Sequence, residues 1–173
     1  MLLRLNDEPD LWGSLFAECK RAAFHLETLD AYAVASESEP LRQFLAGEPA
    51  ATRWFDPWRT LMRDSADRGV IVRRVRVVTE PLSDYQRWLL TLTPENIAAG
   101  EDIRYLPRHL AGRVPTEDYW LFDDERVAFH ARDADNRGLA MVVSDDPGLV
   151  EYAIDHRNRL WELSTPFTEY TGS

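Results

Sequence analysis

Val70-Ile71-Val72-Arg73-Arg74-Val75-Arg76-Val77-Val78 is the stretch that decides the architecture. Valine and isoleucine dominate it, and β-branched side chains suit a pleated backbone better than a helix. Gly69 precedes it and Pro81 follows closely, so both ends are punctuated. Helical patterns flank it. Upstream, Asp56-Pro57 supplies a cap and a preset first turn, followed by the stripe Trp58, Leu61, Met62 and Ala66. Downstream, Ser83-Asp84-Tyr85-Gln86 reads as a capping box ahead of Tyr85, Trp88, Leu89 and Leu92. A buried strand between two amphipathic helices predicts an α/β sheet with helices on its faces.

The pattern continues in both directions. Leu11, Trp12, Leu15, Phe16 and Cys19 predict a helix over Asp7 to Cys19, and Ala23 to Thr28 alternates as a strand. In that strand Phe24 and Leu26 share one side, His25 and Glu27 the other. A short helix is expected from Pro40 to Ala46, ended by Gly47. Beyond the central helix, Thr93-Pro94 predicts one more helical turn, closed at Gly100, before a strand over Ile103 to Leu106. Arg108 to Thr116 reads as a loop. Two strands, Tyr119–Phe122 and Arg126–Ala131, flank the acidic turn Asp123-Asp124-Glu125, and Leu139–Val143 adds another. Asp146-Pro147 opens the last helix, which Pro166 stops. No repeat or linker interrupts this order, so residues 1–173 are expected to form a single α/β domain.

Composition narrows the function classes. A chain of 173 residues with 45% apolar content and six tryptophans supports a packed core without staples. Cys19 is the only cysteine, which excludes an internal disulfide and a cysteine-based zinc site and suits a reducing cytoplasm. Neither a signal-like start nor an apolar run of membrane-spanning length appears, so a cytoplasmic protein without membrane contact is expected. The net charge of −10 opposes unaided binding to nucleic acid and favours a basic protein partner. Lys20 is the only lysine among 20 basic residues, a bias associated with GC-rich genomes of the actinobacterial type.

From Gly69 onward the succession of the Val70–Val78 strand, Asp102-Ile103-Arg104-Tyr105-Leu106-Pro107, and Tyr119-Trp120-Leu121-Phe122-Asp123-Asp124-Glu125-Arg126-Val127-Ala128 has a specific likeness. With the terminal Leu160-Trp161-Glu162-Leu163, it resembles the phospholipase-D-like domain over residues 69–167. The resemblance implies a phospholipase-D-like mixed β-sheet with helices on both faces. The catalytic form of that fold carries His-x-Lys-x4-Asp, in which histidine is the nucleophile and lysine neutralises phosphate charge. With the aspartate placed at Asp123, the histidine position falls on Thr116 and the lysine position on Asp118. No catalytic residue is therefore assigned, and no enzyme activity is expected. The chain as a whole resembles an actinobacterial domain-of-unknown-function family, on Ala23-Phe24-His25-Leu26-Glu27, Asp30-Ala31-Tyr32, Arg73 to Val78 with Glu80-Pro81, and Ala99-Gly100-Glu101-Asp102. Encoding beside helix-turn-helix regulators is what that resemblance implies.

Arg74 and Arg76 lie on one side of the deciding strand with Val72 and Val78. A buried arginine needs a partner, and Glu27, Asp30, Glu80 and Asp123 are the candidates. Two readings stay open: a structural ion-pair network, or a pocket for an anion that Arg104 would join. Asp123-Asp124 suits a turn better than a metal site. His25, His109, His130 and His156 have no ligand spacing and are expected to be surface or satisfied groups, so no metal or cofactor is expected. Cys19 belongs to the apolar stripe and is expected to be inert. Trp54 and Phe55 crowd a proline and form the candidate interface. The expected function is a non-enzymatic regulatory protein that binds a basic helix-turn-helix regulator, in the manner of a toxin–antitoxin or switch pair. The alternative is a sensor of a small anion. A homodimer is left open.

Overall fold

The computed structural model describes residues 1–4, 10–49 and 52–172. Among the described residues eight strands form one mixed sheet: β1 (Leu2–Arg4), β2 (Ala22–Glu27), β3 (Ile71–Val78), β4 (Glu101–Pro107), β5 (Tyr119–Phe122), β6 (Arg126–Arg132), β7 (Gly138–Ser144) and β8 (Thr165–Pro166). Their order across the sheet is β1-β7-β6-β5-β2-β3-β4-β8. The central strands β2, β3 and β4 are parallel, and every other pairing is antiparallel. Parallel neighbours need long crossovers, and the helices provide them.

The helices of the described residues are α1 (Leu11–Glu18), α2 (Ser38–Leu45), α3 (Asp56–Asp67), α4 (Asp84–Ala98), α5 (Arg108–Ala111), α6 (Pro147–Leu163) and α7 (Phe167–Tyr170), of which α2 and α3 cross from β2 to β3 and α4 from β3 to β4. Short 3-10 turns occupy Ala35–Glu37 and Arg53–Phe55. One sheet face is a dry core in which Phe24, Leu26, Val75, Val77, Leu106, Leu121 and Val127 pack under Val150, Ala153 and Leu160 of α6. The opposite face carries α1 and α3 over Val72, Trp120 and Phe122, and α4 beside them.

Several local expectations are corrected. Asp10 accepts from the Gly13 amide at 3.2 Å and caps α1, while the expected start at Asp7 lies outside the described residues. Asp56 sits inside the first turn of α3 and pairs with Arg59 at 2.7 Å instead of capping. The capping box is half formed. Ser83 Oγ accepts from the Gln86 amide at 3.1 Å, but the Gln86 side chain donates to Leu29 O at 3.0 Å. Helix α4 continues through Pro94 without restarting. Arg108–Ala111 is a helical turn rather than loop, and the short strands β1 and β8 carry too few residues to show a period. The acidic turn is as expected: Asp123 and Asp124 have φ of 56° and 59°, which aspartate tolerates better than most residues.

Candidate functional site

Residues alternate across β3, so Arg74 and Arg76 emerge from the face opposite Val75 and Val77. The β2–β3 register sets His25 beside Arg74 and Glu27 beside Arg76. Arg74 Nη1 donates to Glu27 Oε1 at 2.6 Å, and Arg74 Nη2 lies 2.8 Å from Glu101 Oε2. Arg76 Nε donates to Glu27 Oε2 at 2.6 Å, and its Nη1 reaches Thr93 Oγ1 and Tyr105 Oη, each at 2.9 Å. Glu101 also accepts from Trp58 Nε1 at 2.7 Å and Asn96 Nδ2 at 2.6 Å. All four ionic side chains are buried. Burial pushes Glu27 toward protonation, but Arg76 and Arg74 outweigh it and hold the carboxyl well below its usual range. Two cations thus face two carboxylates, and the network is neutral.

A pocket of about 510 Å³ opens over this network. Its sheet side holds His25, Trp120 and His130 beside the ion pairs, and Trp12, Trp54 and Trp58 line it from α1, the 3-10 turn and α3. The His25 ring stacks on Trp120, with centroids 4.2 Å apart and planes 12° apart, and His130 lies 5.4 Å beyond. His25 is only 6% exposed, yet neither ring nitrogen has a hydrogen-bond partner, and neither does His130 Nε2. The 3.5 Å approach of His25 Nδ1 to Glu27 Oε1 lacks hydrogen-bonding geometry. Burial, reinforced by Arg74, keeps His25 neutral, and burial with Arg132 lowers His130 to about 3.

The sequence candidates separate. Arg74, Arg76 and Glu27 meet as expected, and Glu101 is the partner that sequence reading missed. Arg104 does not join them. It pairs in register with Val75 and lies 4.0 Å above the Trp161 ring on the α6 face. Asp30, Glu80 and Asp123 do not pair with these arginines either. Asp30 holds Thr79 through the amide at 2.8 Å and the hydroxyl at 2.7 Å, and its carbonyl accepts from Ser83 Oγ. Arg108 joins this latch, donating to Thr79 Oγ1 at 3.1 Å and to the carbonyls of Thr28 and Val77. Glu80 accepts from Tyr170 Oη at 2.9 Å. Asp123 accepts from three successive amides, Lys20, Arg21 and Ala22, at 2.8, 2.7 and 2.9 Å.

Trp54 is half-buried and stacks on Trp88 at 5.7 Å, so its ring serves the pocket rather than a protruding patch, and Phe55 lines the pocket beside it. Cys19 is buried, and burial together with Asp123 raises its thiol to about 11, too high for ready reactivity. Thr116 is exposed. Asp118 is buried, and its Oδ1 accepts from the Thr28 amide and hydroxyl, both at 2.8 Å. The expectation of surface or satisfied histidines fails for His25 at both nitrogens and for His130 at Nε2 alone, since its Nδ1 lies 3.4 Å from Arg132 Nη2. Their signal was the polar side of the β2 alternation, but the companions come from β5 and β6, about 100 residues on.

Solved structures share the fold of this chain. The phospholipase D family member Nuc from Salmonella typhimurium matches with a TM-score of 0.59 at 12% identity, covering 96% of this chain and 95% of that one. NucT from Helicobacter pylori matches at 0.53 and 13%, covering 96% and 97%. TrmBL2, an archaeal chromatin protein with a novel mode of DNA binding, matches at 0.56 and 13%, covering 95% of this chain but 53% of its own. At such identities the likeness is one of fold, and the fold is phospholipase-D-like. No curated protein matches. A family model described as a domain of unknown function, DUF6879, matches residues 10–172.

Proposed function

The chain belongs to the DUF6879 family, and from its own geometry we propose that it is a non-catalytic regulatory domain that binds a small molecule. The observation that carries this reading is His25, a buried imidazole stacked on Trp120 with both nitrogens unpartnered beside a pocket of ligand size. Thr116 and Asp118 at the expected nucleophile and lysine positions support the absence of phosphodiester chemistry, and the Asp118 oxygen Oδ1 is already engaged by Thr28. Neutralisation of Arg74 and Arg76 by Glu27 and Glu101 argues against an anion sensor built on bare arginines.

The test is a thermal-shift screen of the full chain against nucleosides, aromatic amino acids, sugar phosphates and dicarboxylates. At least one compound is expected to stabilise the native chain but not Ser36→Trp, which fills the pocket. A screen in which no compound separates the two overturns the reading. Turnover of bis(p-nitrophenyl) phosphate that survives chelation overturns its non-catalytic part.

A second reading concerns the partner. The charge of −10 supports association with a basic protein, and in TrmBL2 this fold sits within a longer archaeal chromatin protein that binds DNA. We infer that DNA contact is made by a helix-turn-helix partner, with pocket occupancy tuning the association. Co-expression with such a regulator encoded beside this chain, followed by size exclusion, is expected to give a complex whose association rate falls with salt. Separate elution overturns it.

A further inference from the structure

We propose that the pocket takes a flat, uncharged heteroaromatic molecule whose edge carries both a donor and an acceptor, read by His25 and His130. The inference deepens the ligand-binding reading and rests on it. Charge comes first. Arg74 and Arg76 are matched by Glu27 and Glu101, Arg132 approaches Asp118 at 3.6 Å, and the remaining carboxyl of the lining, Glu37, accepts from Tyr85 Oη and is pushed toward its neutral form by burial, so the pocket offers an ionic ligand little counter-charge. An added charge would lose its hydration without a counter-charge.

The unpartnered atoms set the edge chemistry. A neutral imidazole presents one N–H donor and one acceptor nitrogen. His25 and His130 are both held neutral, His25 with both nitrogens unpartnered and His130 with its Nε2 unpartnered. Carboxylate and phosphate offer only acceptors, and an ammonium only donors, so each leaves part of His25 unmatched. The two nitrogens of one imidazole diverge, so a heterocycle edge with N–H and ring nitrogen or carbonyl would meet one nitrogen of His25, in either tautomer, together with Nε2 of His130. The shape follows from the walls. Trp12, Trp54 and Trp58 line the pocket, and aromatic walls reward a planar guest by ring contacts. A volume of about 510 Å³ lies within the range that ligand sites occupy.

The experiment is calorimetric titration of the full chain at neutral pH with adenine and hypoxanthine as uncharged purines, caffeine as a purine without an N–H donor, p-nitrophenyl phosphate as an aryl anion and benzamidine as an aryl cation. Saturable binding is expected for at least one of the two N–H purines, with caffeine weaker by about tenfold, the value of one hydrogen bond left unmade. His25→Phe keeps a flat ring against Trp120, and His130→Gln serves as a second variant. Each is expected to weaken purine binding about tenfold. Unchanged affinity in both variants overturns the edge reading. Binding of the anion or cation alone, or a thermal-shift hit outside the flat uncharged class with no purine binding, overturns this proposal and leaves the ligand pocket standing. No binding here together with no hit in that screen overturns both.

Discussion

Val75 and Val77 face one side of β3, and Arg74 and Arg76 the other, so one strand serves two environments of opposite character. Under α6 the packing is aliphatic and aromatic, and each side chain adds stability by leaving water. Under α3 and α4 the sheet buries three ion pairs among two arginines and two glutamates, which return little net stability because desolvation offsets their attraction. The contrast teaches a division of labour. The dry face supplies the folding free energy that lets the other face hold polar groups in a fixed geometry. Fully matched charges then make a rigid, neutral base for the unpartnered histidines.

Breaking the network should have the largest effect. Arg74→Met is expected to lower stability by about 3–5 kcal/mol, because Glu101 and Glu27 would keep buried charge without a full complement. A denaturant midpoint equal to that of the parent would show that the network does not hold the fold. On the dry face, Leu121→Ala should cost about 3 kcal/mol by opening a cavity and leave ligand affinity unchanged. A parallel loss of affinity, read by calorimetry, would mean that the two faces are coupled.

Acid should separate the faces next. His130 and His25 are lowered bases with an ordinary value of 6.5, so below that pH the unfolded chain takes up protons that the folded chain refuses. Stability is therefore expected to fall as pH drops from about 6.5 toward 3, by about 1.4 kcal/mol per pH unit for each imidazole. Glu27, a lowered acid, acts in the same direction further down. Its contribution is full above its ordinary 4.5 and is lost as the pH falls toward its folded value. A flat stability profile from pH 6.5 to 5 would contradict the buried neutral imidazoles. The smallest effect belongs to His25→Phe, which should stay within about 1 kcal/mol of the parent at neutral pH while removing its share of the acid slope. A melt at two pH values reads both.

Much of the fold was legible because period and punctuation act locally. Gly69, Pro81 and the valines declare β3, and Asp123-Asp124 declares its turn. Within one strand, parity also placed Arg74 with Arg76 and His25 with Glu27. Parity does not pass between strands, which is why Arg104 was set on the wrong face. Only the register against Val75 decides it. Glu101 was hidden for a related reason, since beside Gly100 it reads as the end of a turn rather than the start of β4. The histidine–tryptophan stack needed β5 and β6 to fold back beside β2, a long-range arrangement that no short window records.

The Asp30–Thr79–Arg108 latch has a consequence for how such a chain can diversify. Open α/β sheets usually take ligands in the crevice beyond the carboxyl ends of their parallel strands. Here those ends are occupied from within: Arg108 caps the carbonyls of Thr28 and Val77, and Asp30 ties down Thr79. Substitution of loop residues at that end would trade against the closure of the chain itself. Variation in specificity among sequences built on this plan is therefore expected to concentrate on rings outside the sheet such as Trp12 and Trp54, whose identity can drift while the strands beneath them stay constant, whereas Trp58 is tied to Glu101.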